Sequence, residues 1–192
     1  MSAVMDRPRV NERLCNHISN EELDRRWTAV RAKMREQGID ALVPQCSNDF
    51  LGGYVRWISG SPATHAYPRT AVFPLEGLMS LVHQGNTGGV VKTDGVTPPN
   101  YGVGKRLTTP SFVTAGYTGG YDAQLVADEI IANGWKTVGM VAPATWYYTF
   151  GVQLRELAKG VNFVDATEMV DQIKAIKSAR SEEHTSELQS PY

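Results

Sequence analysis

Residues 122–179 read DAQLVADEIIANGWKTVGMVAPATWYYTFGVQLRELAKGVNFVDATEMVDQIKAIKSA. Ala123, Val126, Ala127, Ile130 and Ile131 form one helical stripe that ends at Asn133-Gly134, a pair suited to a helix C-terminus. KTVGMVAP follows as a buried strand. ATWYYTFGVQLRELAKG is a second helix, with Tyr147, Phe150, Leu154 and Leu157 inward and Gly160 at its end. NFVDA is a strand, and TEMVDQIKAIKSA begins a third helix with Met169, Val170, Ile173 and Ile176 apolar. Strand and helix alternate throughout. That pattern predicts an α/β fold: a parallel or mixed sheet covered by helices on both faces.

The other half extends the same plan less regularly. SNEELDRRWTAVRAKMREQG is a helix marked at both ends. Ser19 with Glu22 makes a capping box, and Gly38 supplies the left-handed residue that stops it. Leu23, Trp27, Val30 and Met34 share its inner face. DALVP is then a short buried strand ended by Pro44, and SNDFLGGYV is a turn or short helix. YPRTAVFP and GLMSLVHQ pair as a hairpin through the tight LEG turn. Residues 85–110 carry many Gly and Pro and read as loop, with SFVTAG as a further strand.

Composition narrows the function. In 192 residues, 42% are hydrophobic and 20% charged, which suits one globular domain. Net charge is −1, and removing the one Arg and three Glu of residues 180–192 leaves 18 basic against 17 acidic groups. Neither balance supplies the basic excess that grips phosphates, so no nucleic-acid partner is expected. No apolar run approaches a membrane span, and MSAVMDRPRV lacks an apolar signal core. Cys15 and Cys46 lie far apart, outside any metal-type spacing. A reduced, cytoplasmic protein is the expectation, with no contact to membrane.

The motif tests exclude more than they find. NYGVGKRLTT places Arg106 where a phosphate loop needs Ser or Thr, and Pro99 where it needs Gly. Gly102 and Gly104 lack the third glycine of a dinucleotide fingerprint. No Gly-x-Ser-x-Gly elbow occurs. None of His17, His65, His83 and His184 pairs with a second His or a Cys at ligand spacing, so no metal site and no catalytic residue is assigned. His83, at a strand end, reads as a surface or hydrogen-bonded histidine. Asp122, Asp128 and Glu129 read as the solvated face of their helix. One stretch, RWISGSPATHAYPRTAVFP, gathers Arg56, Trp57, His65, Tyr67 and Arg69 around a Gly- and Pro-rich turn. It is either a surface for a carboxylate-bearing ligand or protein partner, or a set of core and rim aromatics with solvated arginines.

Taken in order, RRWTAVRAKMREQGIDALVPQCSNDFLGGYVRWISG, YPRTAVFPLEGLMSLVHQG and IKAIKSA resemble the N-terminal domain of creatinase, prolidase and aminopeptidase P relatives. The resemblance covers residues 20–179. It implies a ribonuclease-H-like α/β domain without ribonuclease activity. It also implies a homodimeric parent whose catalytic domain, absent here, follows the linker helix. That domain would hold a divalent metal pair (manganese, cobalt or zinc), or none in creatinase-like members. The N-terminal domain would build the dimer and cover the neighbour's active site. The aromatic-x-Arg of such proteins matches Tyr67-Pro68-Arg69, which makes Tyr67 and Arg69, with His65, Trp57 and Arg56 beside them, the substrate-contact candidates toward a partner subunit. The parent would cleave before proline or act as a creatinase-like C–N hydrolase. The alternative is a stand-alone α/β module binding a small molecule or a protein.

The end of the chain breaks the pattern. RSEEHTSELQS corresponds codon for codon to a string that resembles a sequencing-library adapter read in frame, and the helical stripe stops just before it. The expected organisation is therefore an irregular arm over 1–18, the family-like domain over 19–165, the start of a linker helix over 166–179, and a non-native disordered tail over 180–192. A linker helix without its usual partner domain would leave Met169, Val170, Ile173 and Ile176 partly exposed and prone to self-association.

Overall fold

The expected alternation of strand and helix is present in the computed structural model, which describes residues 18–47, 53–61, 67–112 and 115–177. The first helix, α1, spans Asn20–Gln37. The Ser19 side chain accepts from the Glu22 N–H, as the capping pattern requires, and Gly38 at φ 65° closes the far end by donating to the Arg35 and Met34 carbonyls. Leu23, Trp27, Val30 and Met34 are all buried. Then follow β1 (Ala41–Cys46), α2 (Gly53–Ser59), β2 (Arg69–Pro74), β3 (Met79–Gln84), β4 (Gly89–Lys92) and β5 (Val103–Thr109). A 3-10 turn over Gly116–Gly120 leads into α3 (Tyr121–Ala132). After it come β6 (Thr137–Val141), α4 (Tyr148–Leu157), β7 (Asn162–Asp165) and α5 (Thr167–Ala175).

The seven strands form one mixed sheet in the order β4-β5-β3-β2-β1-β6-β7. Five run one way; β2 and β4 run antiparallel to their neighbours. Strand alternation sends side chains into two cores. Leu42, Ala71, Phe73 and Leu81 face α1, α2 and α5, while Val43, Val72, Val82 and Val138 face α3 and α4. Asp40 joins the halves: its carboxylate accepts the Lys136 and Thr137 N–H groups at 2.7 and 2.9 Å, and its carbonyl accepts from Leu75 at 2.8 Å. These bonds set the start of β6 beside the start of β1. Asp40→Ala is expected to lower stability by about 1–2 kcal/mol in urea unfolding, the value of two charge-assisted bonds in a part-exposed site; an unchanged midpoint would remove Asp40 from this role.

Several expectations change. Pro44 does not end β1, which runs on to Cys46 with every residue buried. The register with β2 instead passes over Val43 and Pro44, where proline has no N–H to give. The stretch read as loop holds β4 and β5, and β5 lies inside the sheet between β4 and β3. No strand forms among the described residues of SFVTAG, which lead into the 3-10 turn. Ile131 and Leu157 are exposed rather than inward. Met169, Val170 and Ile173 are buried in the core shared with α1, so α5 finds its apolar cover within this fold; only Ile176 of that stripe is exposed. That face is therefore not available for self-association. Residues 1–17 and 178–192, with Cys15, His17, His184 and the tail, lie outside the described residues.

Candidate functional site

In open α/β sheets, ligands collect where the parallel strands end. Here β1, β3, β5 and β6 end together, and β2 begins there because it runs the other way. Gln45, next to last in β1, is 1% exposed. Its Nε2 donates to the Thr70 hydroxyl at 3.1 Å and its Oε1 accepts the Tyr147 N–H at 3.2 Å. A buried amide in a central strand is costly unless both ends are met. Gln45 meets both, and so fixes the chain entering α4 over the end of the sheet.

On the neighbouring side the loop after β5 folds back on Thr118. The Phe112 N–H donates to the Thr118 hydroxyl at 2.7 Å, and the Ser111 hydroxyl donates to the Thr118 carbonyl at 3.1 Å. This loop delivers the first turn of α3 and with it Asp122, which is 2% exposed. Among the described residues its Oδ1 has no hydrogen-bond partner. Burial pushes the carboxyl up to about 6, against the pull of the Ser111 hydroxyl beside it. Asp122, Gln45 and Ser111 line a cavity of about 60 Å³ whose other walls include Pro68, Phe112, Tyr147 and Phe150.

The sequence candidates disperse around this point. Tyr67 sits edge-on to Phe112 at 5.5 Å, at the margin of the cavity that Pro68 lines. Arg69 opens β2 opposite Cys46 and shares the face of Ala71 and Phe73, toward the first core. Burial lowers its pKa, and the Arg106 charge lowers it further. Trp57 packs against the first core under the Arg26 guanidinium, 5.2 Å from its ring centroid, and its carbonyl accepts from Arg26 at 2.9 Å. Trp57 is thus core and rim, and Arg56 is half-buried beside it on α2. His65 lies outside the described residues. The other four do not form one cluster: Tyr67 borders the Asp122 cavity, Arg69 faces the other side of the sheet, and Arg56 and Trp57 stay with α2 beside α1.

The reading of the α3 carboxylates as solvated holds only for Asp128, which is exposed and accepts from Gln124. Glu129 is ion-paired with Lys105 at 2.8 Å and accepts from the Ser80 hydroxyl at 2.8 Å. Asp122 is the residue that sequence reasoning missed, and its signal was present: it precedes Val126 and Ile130 at intervals of four, on the buried face of the helix. The glycines of the failed phosphate and dinucleotide tests belong to packing. Gly102 lies against Trp27, and Gly104 is part of β5.

Comparison with known proteins adds a family. The model of the family described as the creatinase/prolidase N-terminal domain matches residues 26–176. No curated protein matches the chain. Among solved structures, it is similar to the XXA-pro aminopeptidase of Streptococcus pyogenes, with 12% identity over 81% of this chain and 99% of that one, at a TM-score of 0.54. It is similar to the dipeptidase PepE of Mycobacterium ulcerans, with 18% identity over 88% of this chain and 40% of that one, at 0.55. It is also similar to the N-terminal domain of the FACT complex subunit SPT16 of chickpea, Cicer arietinum, with 14% identity over 85% of this chain and 40% of that one, at 0.56. At these identities the likeness is one of fold.

Proposed function

Because the chain belongs to the creatinase/prolidase N-terminal domain family, we propose that it is the non-catalytic N-terminal domain of a larger Xaa-Pro peptidase-like hydrolase. In that protein it helps build a homodimer and covers the partner's active site. The observation that carries this reading is the family match, which spans nearly all of the described fold; the fold spans 40% of the PepE chain and 99% of the Streptococcus pyogenes one. Tyr67 and Arg69 stand at the exit of the sheet, on the segment entering β2, and are the residues we assign to reach toward the partner's substrate.

Among the described residues no group of three or more His, Cys, Asp or Glu side chains could hold an ion, which supports placing the metal pair of such hydrolases outside them. We therefore route no step of hydrolysis through this domain and assign the chemistry to a following domain. Two measurements test this. The purified chain with added manganese is expected to leave Xaa-Pro peptides intact; chelator-sensitive turnover that purifies with the chain would overturn the assignment. Genomic sequence downstream of the Ser178 codon is expected to continue into a frame rich in Asp, His and Glu ligands. A stop codon there would favour a stand-alone binding module.

A further inference from the structure

We propose that Asn133 is a modification site: its side-chain amide is converted to an acid, without an enzyme, by attack of the Gly134 backbone nitrogen, and the cap that ends α3 governs the rate. The sequence contains one Asn-Gly pair, at these two positions. Glycine places no Cβ beside the attacking nitrogen, so the backbone there turns freely toward the Asn side chain. Both residues are exposed to the water that the reaction consumes. Hydroxide takes the Gly134 N–H proton, and the nitrogen attacks Cγ of Asn133. The new N–Cγ bond closes a succinimide ring as the Cγ–Nδ2 bond breaks; Nδ2 takes a proton from water and leaves as ammonia. Water then opens the ring at either carbonyl and leaves an aspartate or an isoaspartate.

The fold ties up both reacting groups. Asn133 is the C-terminal cap residue of α3, and its Nδ2 donates to the Glu129 carbonyl at 2.7 Å. The Gly134 N–H, whose nitrogen must attack, donates to the Ile131 carbonyl at 3.0 Å, and the Trp135 N–H donates to the Ile130 carbonyl at 3.2 Å. With Gly134 at φ +68°, these bonds form the Schellman close of a helix. Trp135 packs against the second core, which also holds Ile130, so the cap is anchored on both sides of the pair. A proton held by the Ile131 carbonyl is protected from base until the cap opens, and ring closure also breaks the bond from Nδ2 to Glu129. The product weakens the cap that protected it. The amide donor facing the Glu129 carbonyl becomes a carboxylate, which has no N–H to give and puts a negative charge at the negative end of the helix.

The test is to hold the full chain at mildly alkaline pH, with and without an unfolding concentration of guanidinium chloride. The tryptic peptide Leu107–Lys136, in which Asn133 is the only asparagine, is followed by mass spectrometry together with an isoaspartate assay. Conversion is expected in both samples, and about tenfold or more slower in the folded one. Asn133→Gln, whose longer side chain does not close the same ring, should abolish it in both. No conversion in the unfolded chain, or equally fast conversion at Asn86, Asn100 or Asn162, each followed by a residue with a side chain, would overturn the site. A folded rate equal to the unfolded one would overturn the control by the cap. Asn133→Asp, the direct product, should lower the unfolding midpoint; an unchanged midpoint would overturn the claim that the reaction loosens the helix end. The comparison of folded and unfolded parent needs no variant, so its outcome does not depend on how a variant folds.

Discussion

Gly102→Ala is expected to destabilise the chain by about 2–5 kcal/mol, seen as a lowered denaturation midpoint together with a changed near-ultraviolet signal from Trp27. Two costs combine: about 1–2 kcal/mol for holding an L-residue in the left-handed region and about 1–3 kcal/mol for overpacking. Both apply at this position. Gly102 has φ +73°, and a Cβ built there would overlap Cη2 of Trp27 and lie 2.8 Å from Cζ2 and Cζ3. The indole cannot retreat. Its N–H donates to the Ile58 carbonyl at 2.6 Å, Tyr101 stacks on it at 5.5 Å, and Phe73 lies 6.4 Å away. Nor can the backbone shift freely, since the Gly102 N–H donates to the Gly95 carbonyl and its own carbonyl accepts from Met79 at the head of β3. Gly104 is the comparison. A Cβ there would lie 2.9 Å from the Leu78 Cβ, which side-chain rotation does not move, but Gly104 does not have a left-handed φ, so Gly104→Ala meets the overpacking cost without the backbone strain and should cost less. Equal effects at the two glycines would show that Trp27 does not set the demand at Gly102.

That pair of glycines shows what a linear reading can and cannot reach. Gly-x-Gly invites a ligand because the local pattern is shared by loops that approach phosphates. What decides it here is Trp27, on a helix far earlier in the chain, which no local rule connects to it. The elements that were legible carry their own evidence. In α1, the Ser19 cap, the apolar stripe and Gly38 all lie within one helix. Across α3 to α5, helix and strand periods alternate without interruption. β5 was illegible because its signal is spread over distant partners. Lys105 and Arg106 at its centre look like loop residues until Glu129 of α3 takes the lysine and Asn100 takes the arginine. The same limit governs the site. Sequence adjacency gathered Arg56, Trp57, Tyr67 and Arg69, yet the bend at Tyr67 turns that ring to Phe112 while Arg69 faces the other layer. Asp122 was hidden by the habit of placing carboxylates outward, although its spacing to Val126 and Ile130 pointed inward.

Asp122 also makes the stability of the fold depend on pH in a direction unusual for a carboxylate. Burial raises its pKa from 3.8 to about 6, so the folded chain holds this proton more tightly than the unfolded one. The stabilisation belonging to the protonated acid is complete below about pH 4 and is lost as pH rises through about 6. At higher pH the fold carries an ionised carboxylate in a largely apolar wall, a cost on the order of 3 kcal/mol for a shift of this size. Asp122→Asn removes the titration while keeping the shape. Whatever constant amount the new amide adds or removes, that offset does not change with pH. The difference in unfolding free energy, variant minus parent, is therefore expected to rise by about 2.5 kcal/mol between about pH 4 and pH 8, with most of the change between about pH 4 and 6. Urea unfolding of both proteins across that range measures it. Parallel curves would mean that Asp122 is solvated or paired in solution.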